Sequence, residues 1–490
     1  MNPVRLVFAR RAWSVFLLLA AALSATPLPA AAARPNVIMI LIDDMGWGDF
    51  SCFGNREAAT PNFDRMAAEG IRFEQFYVAA PICSPSRCGL TTGQYPQRWR
   101  LTSYLDNRAA NERRGMAQWL DPKAPTLARE LQRHSYATGH FGKWHLGGQR
   151  DVADAPPITA YGFDRSLTNF EGMGAKLLPL VIAPGDAEPH RIWGDAVRLG
   201  EPVTWMRRSE ITTGFIDAAL AFVDGAARAG KPFYINLWPD DVHSPFWPPV
   251  DRWAGTKRGL YLAVLREMDR QFGKLFDHLR ADPALRDNTL VLICSDNGPE
   301  PGAGSAGPFL GAKGTLYEGG IRSPLIAWAP GLMAGGKAGT TDRAAVFGTM
   351  DIPPSVLAIT GLPPAPDAGF DGEDFSAVLL AKDAVVRKTP LFWRRPPDRV
   401  SWQQPGHAGK RRLPDLAIRD GAWKLLCAYD GTAPQLYDLA KDRAETANLA
   451  ADQPAVVRRL TERVLAWHQS MPPDHGARLM SSEPPTNSAS

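Results

Sequence analysis

NVIMILID, residues 36–43, is the stretch on which the architecture turns. A run this continuously apolar, closed by a carboxylate, fits a parallel strand buried on both faces. The chain then supplies TPNFDRMAAEG, with Thr60 as N-cap, Pro61 at the first helical position and Gly70 as a stop. IRFEQFYVA after it reads as a strand. The same helix-then-strand order recurs from APTLARELQRHSY to ATGHFGKW, from ITTGFIDAALAFVDGAARAG to KPFYINLW, and from YLAVLREMDRQFGKLFDHLR to NTLVLICSD. In the last of these helices Tyr261, Leu265, Met268, Phe272, Leu275, Phe276 and Leu279 recur at helical spacing and form one buried stripe. Helices alternating with buried strands predict an α/β fold, a large mixed, mostly parallel sheet sandwiched by helices.

Near residue 385 the pattern changes. AIRDGAWKLLCAYDGTAPQLYDL alternates apolar positions and breaks them with Asp-Gly turns, an antiparallel signature. A large domain over 34–385 and a smaller α+β domain over 386–473, with an antiparallel sheet and a closing helix at 452–470, are expected. Residues 474–490 read as a disordered tail, and no internal repeat is present.

With 490 residues, 45% hydrophobic and 22% charged, the chain can bury a sizeable core. Its net charge of +4 carries no long basic run with interleaved aromatics, so no nucleic-acid partner is expected. A mean hydropathy of −0.22 excludes a multi-span membrane protein. Arg5, Arg10 and Arg11 precede the apolar run WSVFLLLAAALSA and a small-residue tract at 30–33, which reads as a removed secretory signal over residues 1–33 and no stable membrane anchor. Five cysteines are few and odd in number for an exported chain, so no disulfide framework is implied. The absence of any Asn-x-Ser/Thr sequon suits a bacterial periplasmic or secreted protein.

Ligands of open α/β sheets bind beyond the carboxyl ends of the strands, and here those ends are polar. The first strand closes on Asp43-Asp44, and TLVLIC runs into Ser295-Asp296-Asn297-Gly298. Three carboxylates and an amide oxygen form a hard donor set suited to Ca²⁺ or Mg²⁺. Either cluster alone is an ordinary turn or cap; together on parallel strands they point to a metal. GHFGKWHLG adds Lys143 and His145, WPDDVHSP adds His243, and the glycine-rich GAKGTLYEGGIRSP adds Lys313. Titratable groups converging from separate elements are what acid–base chemistry needs, and cations around a divalent metal describe phosphoryl or sulfuryl transfer. The nucleophile remains to be found, and PICSPSRCGLTTG (81–93) reads as neither a clean helix nor a clean strand.

Cys83-Ser84-Pro85-Ser86-Arg87, followed by Thr92-Gly93, resembles the C-x-P-S-R signature of type I sulfatases. The resemblance runs through PNVIMILIDDMGWGDFSCFGN, FGKWHLG, CSDNG, GAKGTLYEGGIRSPLIAWAPG, IRDGAWKLL and LYDL in the family's order, across nearly the whole mature chain. It implies an alkaline phosphatase-like fold with the catalytic domain over 34–385. It also implies that Cys83 is a precursor, oxidised by a formylglycine-generating maturase to an aldehyde that hydrates to a geminal diol. By the same resemblance Asp43, Asp44, Asp296 and Asn297 hold calcium, or magnesium, together with the modified Cys83. Arg87 steadies the formylglycine, Lys143 and Lys313 grip sulfate oxygens, and His145 and His243 transfer protons. His243 or Lys313 protonates the leaving alcohol, and His145 takes the proton of the second hydroxyl.

Cys88 reads as a packing residue on the helix that begins within the motif. A further sulfate-contacting polar residue is expected within YGFDRSLTNFEG and is left unassigned. The GWGD, GPFLGAK and EGGIR segments look most like the arylsulfatase and N-acetylgalactosamine-6-sulfatase branch, so a sulfated glycan is the first expected substrate and a small aryl sulfate the second. A phosphonate monoester or phosphodiester hydrolase of the same superfamily, or an inactive sulfated-glycan-binding protein, are the competing readings. Loops 95–123 and 150–212, and the segment 392–415 with Trp393, Arg394, Arg395 and Trp402, are the expected specificity surface, unless the last group packs a domain interface.

Overall fold

The apolar run at 36–43 forms strand β1, Asn36–Ile42, in the computed structural model, which describes residues 34–404 and 409–481. Val37, Met39 and Leu41 enter one core layer and Ile38, Ile40 and Ile42 the other, so each face of β1 is covered. That two-sided burial is why the sequence shows no alternation.

The strands that join it are β2 (Ile71–Tyr77), β3 (Ala137–Gly142), β4 (Arg165–Leu167), β5 (Phe233–Trp238), β6 (Thr289–Ser295), β7 (Arg322–Trp328) and β8 (Thr340–Asp342). Their order across the sheet is β8-β2-β7-β6-β1-β5-β3-β4. Only β7 runs against the rest among these strands, pairing antiparallel with β2 and β6. The sheet is therefore mixed and mostly parallel, as expected. Helices α1 (Pro61–Glu69), α2 (Cys83–Thr92), α3 (Leu127–Arg133), α4 (Ile211–Arg228) and α5 (Lys257–Ala281) flank it. Phe63 of α1, Phe215 of α4 and the Tyr261–Leu279 stripe of α5 pack one face, while Leu90 of α2 and Leu127 and Leu131 of α3 pack the other.

One feature of this topology positions the chemistry. β6, β1, β5 and β3 are consecutive neighbours and all parallel, so their carboxyl ends lie together, with Ile42 paired to Ser295 in register. β2 points the same way and delivers α2 to that end. Because β7 is reversed, the loop that enters it, with Lys313, arrives there too.

Within the motif 81–93 the helix expected to carry Cys88 runs over residues 83–92, and all ten of its residues are buried. A helix apolar or buried all round shows no amphipathic stripe, which is why its periodicity was invisible. Its proline, Pro85, sits in the first turn, where no intrahelical N–H is required. Gly93, at φ +67°, closes it with an N–H to the Gly89 carbonyl at 2.9 Å. Cys88 is fully buried in the core layer beneath α2, and the five cysteines are all unpaired.

The C-terminal sheet contains β9 (Leu391–Arg394), β10 (Leu416–Asp420), β11 (Trp423–Cys427) and β12 (Gln435–Asp438), antiparallel throughout and covered by α6, Pro454–Ser470. It shares one apolar cluster with Tyr77, Tyr95 and Ile321 of the large domain. Trp393, Arg394 and Arg395 belong to this packing: each is at most 2% exposed, and Trp393 Nε1 donates to the Val78 carbonyl at 2.7 Å. They form no specificity surface: Trp393 packs toward the large domain, Arg394 donates to the Pro472 and His468 carbonyls by α6, and Arg395 forks onto Asp415. Residues 474–481 also depart from the expected tail. Gly476–Ser481 form helix α7, and His475 Nδ1 donates to the Arg113 carbonyl. Residues 1–33 and 482–490, with the signal and the end of the tail, lie outside the described residues. Among the described residues no helix is long and apolar enough to cross a membrane.

A buried ionic strut ties the two sheets. Lys424 of β11 donates to Glu318 at 3.0 Å and pairs with Glu445 at 2.8 Å, all three fully buried as side chains. Lys424→Met removes the shared cation and leaves two carboxylates desolvated, with Arg322 still on Glu318 at 2.9 Å. Urea unfolding is expected to show a loss of about 3–5 kcal/mol, and a loss below about 1 kcal/mol would show the strut to be ornamental.

Candidate active site

β1 ends on Asp43 and Asp44, both fully buried, with Asp44 turned into the left-handed region at φ +59°. The neighbouring β6 ends on Asp296 and Asn297. The two turns are stitched together: the Asp44 amide donates to Asp296 Oδ1 at 3.1 Å, the Met45 amide to Ser295 Oγ at 3.1 Å, and Asn297 Nδ2 to Asp44 Oδ1 at 2.8 Å. The four predicted metal ligands are thus brought into one cluster.

Cations reach this cluster from three other elements. Arg87 stands one turn beyond Cys83 on α2, so the two share a helix face. Its guanidinium forks onto Asp296 Oδ2 at 2.8 and 3.0 Å, lies 3.2 Å from Asp43 Oδ1, and donates to the Lys143 carbonyl at 2.7 Å. Lys143, just past β3, donates to Asp43 Oδ2 at 2.8 Å. Lys313 donates to Asp44 Oδ2, and its loop is pinned by Lys313 N to the Pro299 carbonyl and Gly314 N to the Pro81 carbonyl. Three cations therefore face three carboxylates.

His243 follows β5. Its Nδ1 lies 2.8 Å from the Ser244 carbonyl, which fixes the hydrogen on that nitrogen. Nε2 is left as a lone pair 3.3 Å from Lys313 Nζ and 3.5 Å from Asp44 Oδ2. Burial drives the affinity of this imidazole for a proton down, and Asp44 opposes it only in part.

His145, at φ +55°, places Nε2 2.9 Å from the Leu105 carbonyl and Nδ1 3.0 Å from Glu171 Oε2. Glu171, also 3.5 Å from Lys143 Nζ, is a buried site residue that the sequence reading did not name. It falls within YGFDRSLTNFEG, as does Asn169, whose Nδ2 donates to Asp240 Oδ2 at 2.8 Å beside Arg208. Lone residues in a loop carry no periodic signal; only the fold shows which of them turns inward.

The electrostatics follow from burial. Burial alone would raise the Asp43 carboxyl, but Lys143, His243, Arg87 and Lys313 together hold it well below the usual range. Burial and the adjacent Asp43 push Asp296 up to about 8 against Arg87. Burial pushes the Cys83 thiol up to about 12, although Lys143 and Lys313 pull it down. A thiol that stays protonated at neutral pH is a poor nucleophile.

The donor set fits a hard divalent cation. Asp43 Oδ1 and Asn297 Oδ1 are buried without a hydrogen-bond donor, and Asp43, Asp44 and His243 bring ligand atoms within 4.8 Å of one another. Buried polar atoms without donors are costly unless something binds them. Oxygen donors of this kind suit Ca²⁺ or Mg²⁺.

Comparison with known proteins agrees with this geometry. Residues 35–362 match a family model described as Sulfatase. The chain is 33% identical over 407 residues to N-acetylgalactosamine-6-sulfatase of Canis lupus familiaris, covering 79% of this chain and 73% of that protein. It is 31% identical over 489 residues to arylsulfatase A of Homo sapiens, covering 92% and 89%. Among solved structures, Ps i-CgsB in complex with k-i-k-neocarrahexaose superposes with a TM-score of 0.71 at 25% identity, over 89% of this chain and 92% of that one.

Proposed function

The chain belongs to the sulfatase family and is a sulfuric ester hydrolase, and we propose that it cleaves sulfate monoesters of a glycan through a formylglycine made from Cys83 at a calcium- or magnesium-binding site. The observation that carries this reading is the convergence of Cys83 and Arg87 on one helix face with Asp43, Asp44, Asp296 and Asn297 at the adjoining strand ends.

Each group has a task that its geometry suits. The hydrated aldehyde at position 83 supplies a nucleophilic oxygen where the buried thiol cannot, at the amino end of a ten-residue helix whose dipole favours negative charge. Asp43, Asp44, Asp296 and Asn297 would hold a divalent cation, which would supply Lewis acidity to the site. Arg87 keeps Asp43 and Asp296 together and holds the Lys143 backbone. Lys143 and Lys313 exchange their carboxylate contacts for sulfate oxygens and take up the charge that develops there. His243, with Nδ1 fixed on Ser244, offers Nε2 beside Lys313, so one of these two groups stands to protonate the leaving alcohol.

A sulfated glycan is favoured over a small aryl ester by the names of the relatives and by the walls of the site. Phe170 lies 6.0 Å from Lys143 Nζ and 4.1 Å from Trp193, so the 150–212 loop brings aromatic platforms to the reaction centre. The N-terminal segment 1–33 would export the chain to the periplasm or beyond, where a maturase must already have acted on Cys83. Residues 34–385 would form the catalytic domain, and 386–473 the subdomain that closes its edge.

Matched aryl sulfate and aryl phosphate esters, assayed on protein co-expressed with a formylglycine-generating enzyme, test the reading. Sulfate release is expected to dominate, with the Cys83 peptide carrying an aldehyde by mass. A preference for the phosphate ester would move the chain to the phosphonate monoester and phosphodiester hydrolases of the superfamily.

A further inference from the structure

We infer that Glu171 is a positioning residue that shares a single proton with His145 and thereby sets the state in which His145 can accept another. The inference rests on the sulfatase reading for its kinetic test but on geometry for its substance. The Leu105 carbonyl, 2.9 Å from His145 Nε2, has no proton to give, so Nε2 carries the hydrogen. Nδ1 of that tautomer is a lone pair. Glu171 Oε2, 3.0 Å away, is also an acceptor when ionised, and both atoms are buried with no other hydrogen-bond donor. Two acceptors at this distance repel unless a proton lies between them.

The surroundings decide where that proton sits. Lys143 faces the carboxyl at 3.5 Å, with Arg150 and Arg87 on the positive side and Asp43 on the negative. Lys176, fully buried on β-strand Lys176–Val181, fastens the Gly172 carbonyl and the Thr168 hydroxyl beneath the same loop. Burial pushes Glu171 up to about 7 in spite of Lys143 and Arg150. Burial, with Lys143, drives the proton affinity of His145 well down. Below neutrality the proton therefore rests on Glu171 and is donated to Nδ1. His145 then has no free lone pair, since Nε2–H is spent on Leu105. As pH rises through about 7 the proton leaves, Nδ1 is freed, and a proton that His145 then takes up makes an imidazolium beside a carboxylate. That proton returns to water when the pair discharges, so the balance closes over a turnover.

The loop is built to hold this contact. The Glu171 amide donates to Asn169 Oδ1 at 3.2 Å, and Asn169 is itself anchored on Asp240.

Glu171→Gln keeps a donor for Nδ1 but has no proton to lose. Histidine-selective ¹⁵N NMR of the full chain, with the His145 signal assigned through His145→Gln, reads the pair directly. The parent is expected to hold the Nε2–H tautomer, with its Nδ1 signal following the ionisation of Glu171 in one step near pH 7, while Glu171→Gln keeps the tautomer and shows no such step. In the aryl sulfate assay kcat of Glu171→Gln is expected to fall about 10²-fold or more with KM within a few-fold, and the acidic limb of its pH profile to vanish. Glu171→Asp should restore part of kcat and the limb together. A His145 signal that titrates alike in parent and Glu171→Gln, or a Glu171→Gln enzyme with the parent's kcat and pH profile, overturns the inference. A parent that hydrolyses no sulfate ester overturns the functional reading instead, and the NMR comparison still decides the shared proton.

Discussion

Cys83→Ala folds as the parent does and hydrolyses no sulfate ester. The thiol at the start of α2 is 2% exposed and makes no hydrogen bond on which the helix depends. Deleting one sulfur from that site costs about 1 kcal/mol of packing, small against the buried cluster that surrounds it. The loss of function is of another order. Arg87, Lys143 and Lys313 can still bind an anion, but binding a ground state accelerates nothing unless an attacking group is present. Removing a covalent nucleophile lowers kcat by about 10⁴-fold or more, to what electrostatics and positioning alone supply. Circular dichroism and thermal melting on matured Cys83→Ala and parent, beside kcat on an aryl sulfate, make the comparison. Substantial turnover by the variant would end the nucleophile assignment, and an unfolded variant would show that the thiol holds α2 in place.

Much of this was legible in the chain before its structure. β1 and β6 announced themselves because strands buried on both faces must be apolar throughout, and their closing carboxylates stood out against that background. Lys143, His145 and His243 were readable for the same reason, each following a buried run. The parts that escaped share a different cause. The helix beginning at the motif was read, but the extent of α2 was not, because a wholly buried helix has no polar face. Glu171 and Asn169 hid because a loop residue has no period, and its inward turn depends on contacts with Lys143, His145 and Asp240 that are distant in sequence. Trp393, Arg394 and Arg395 suggested an exposed binding surface by type, yet contacts with Val78, α6 and Asp415 bury them. Residue type proposes a role, and topology assigns it.

Asp296→Asn tests the metal assignment with the least disturbance to shape. With Asp296 ionised, as a metal ligand must be, the protein's own charged groups at this end of the sheet balance, with Arg87, Lys143 and Lys313 against Asp43, Asp44 and Asp296. An amide keeps the oxygen that accepts from the Asp44 amide at 3.1 Å, and turns its NH2 toward the Arg87 fork. What it removes is one negative charge, leaving a site biased by one positive charge toward repelling a divalent cation. Calcium affinity, measured by titration calorimetry on the full chain, is expected to fall by about 10²-fold or more, since ligand charge governs affinity for hard cations. Stability should fall by about 1–3 kcal/mol, because the fork from Arg87 is lost while its contact with Asp43 at 3.2 Å persists. The two readouts separate the causes. A variant that melts like the parent but no longer binds calcium places Asp296 in the ligand set; one that binds calcium as the parent does leaves Asp296 as the partner of Arg87 alone.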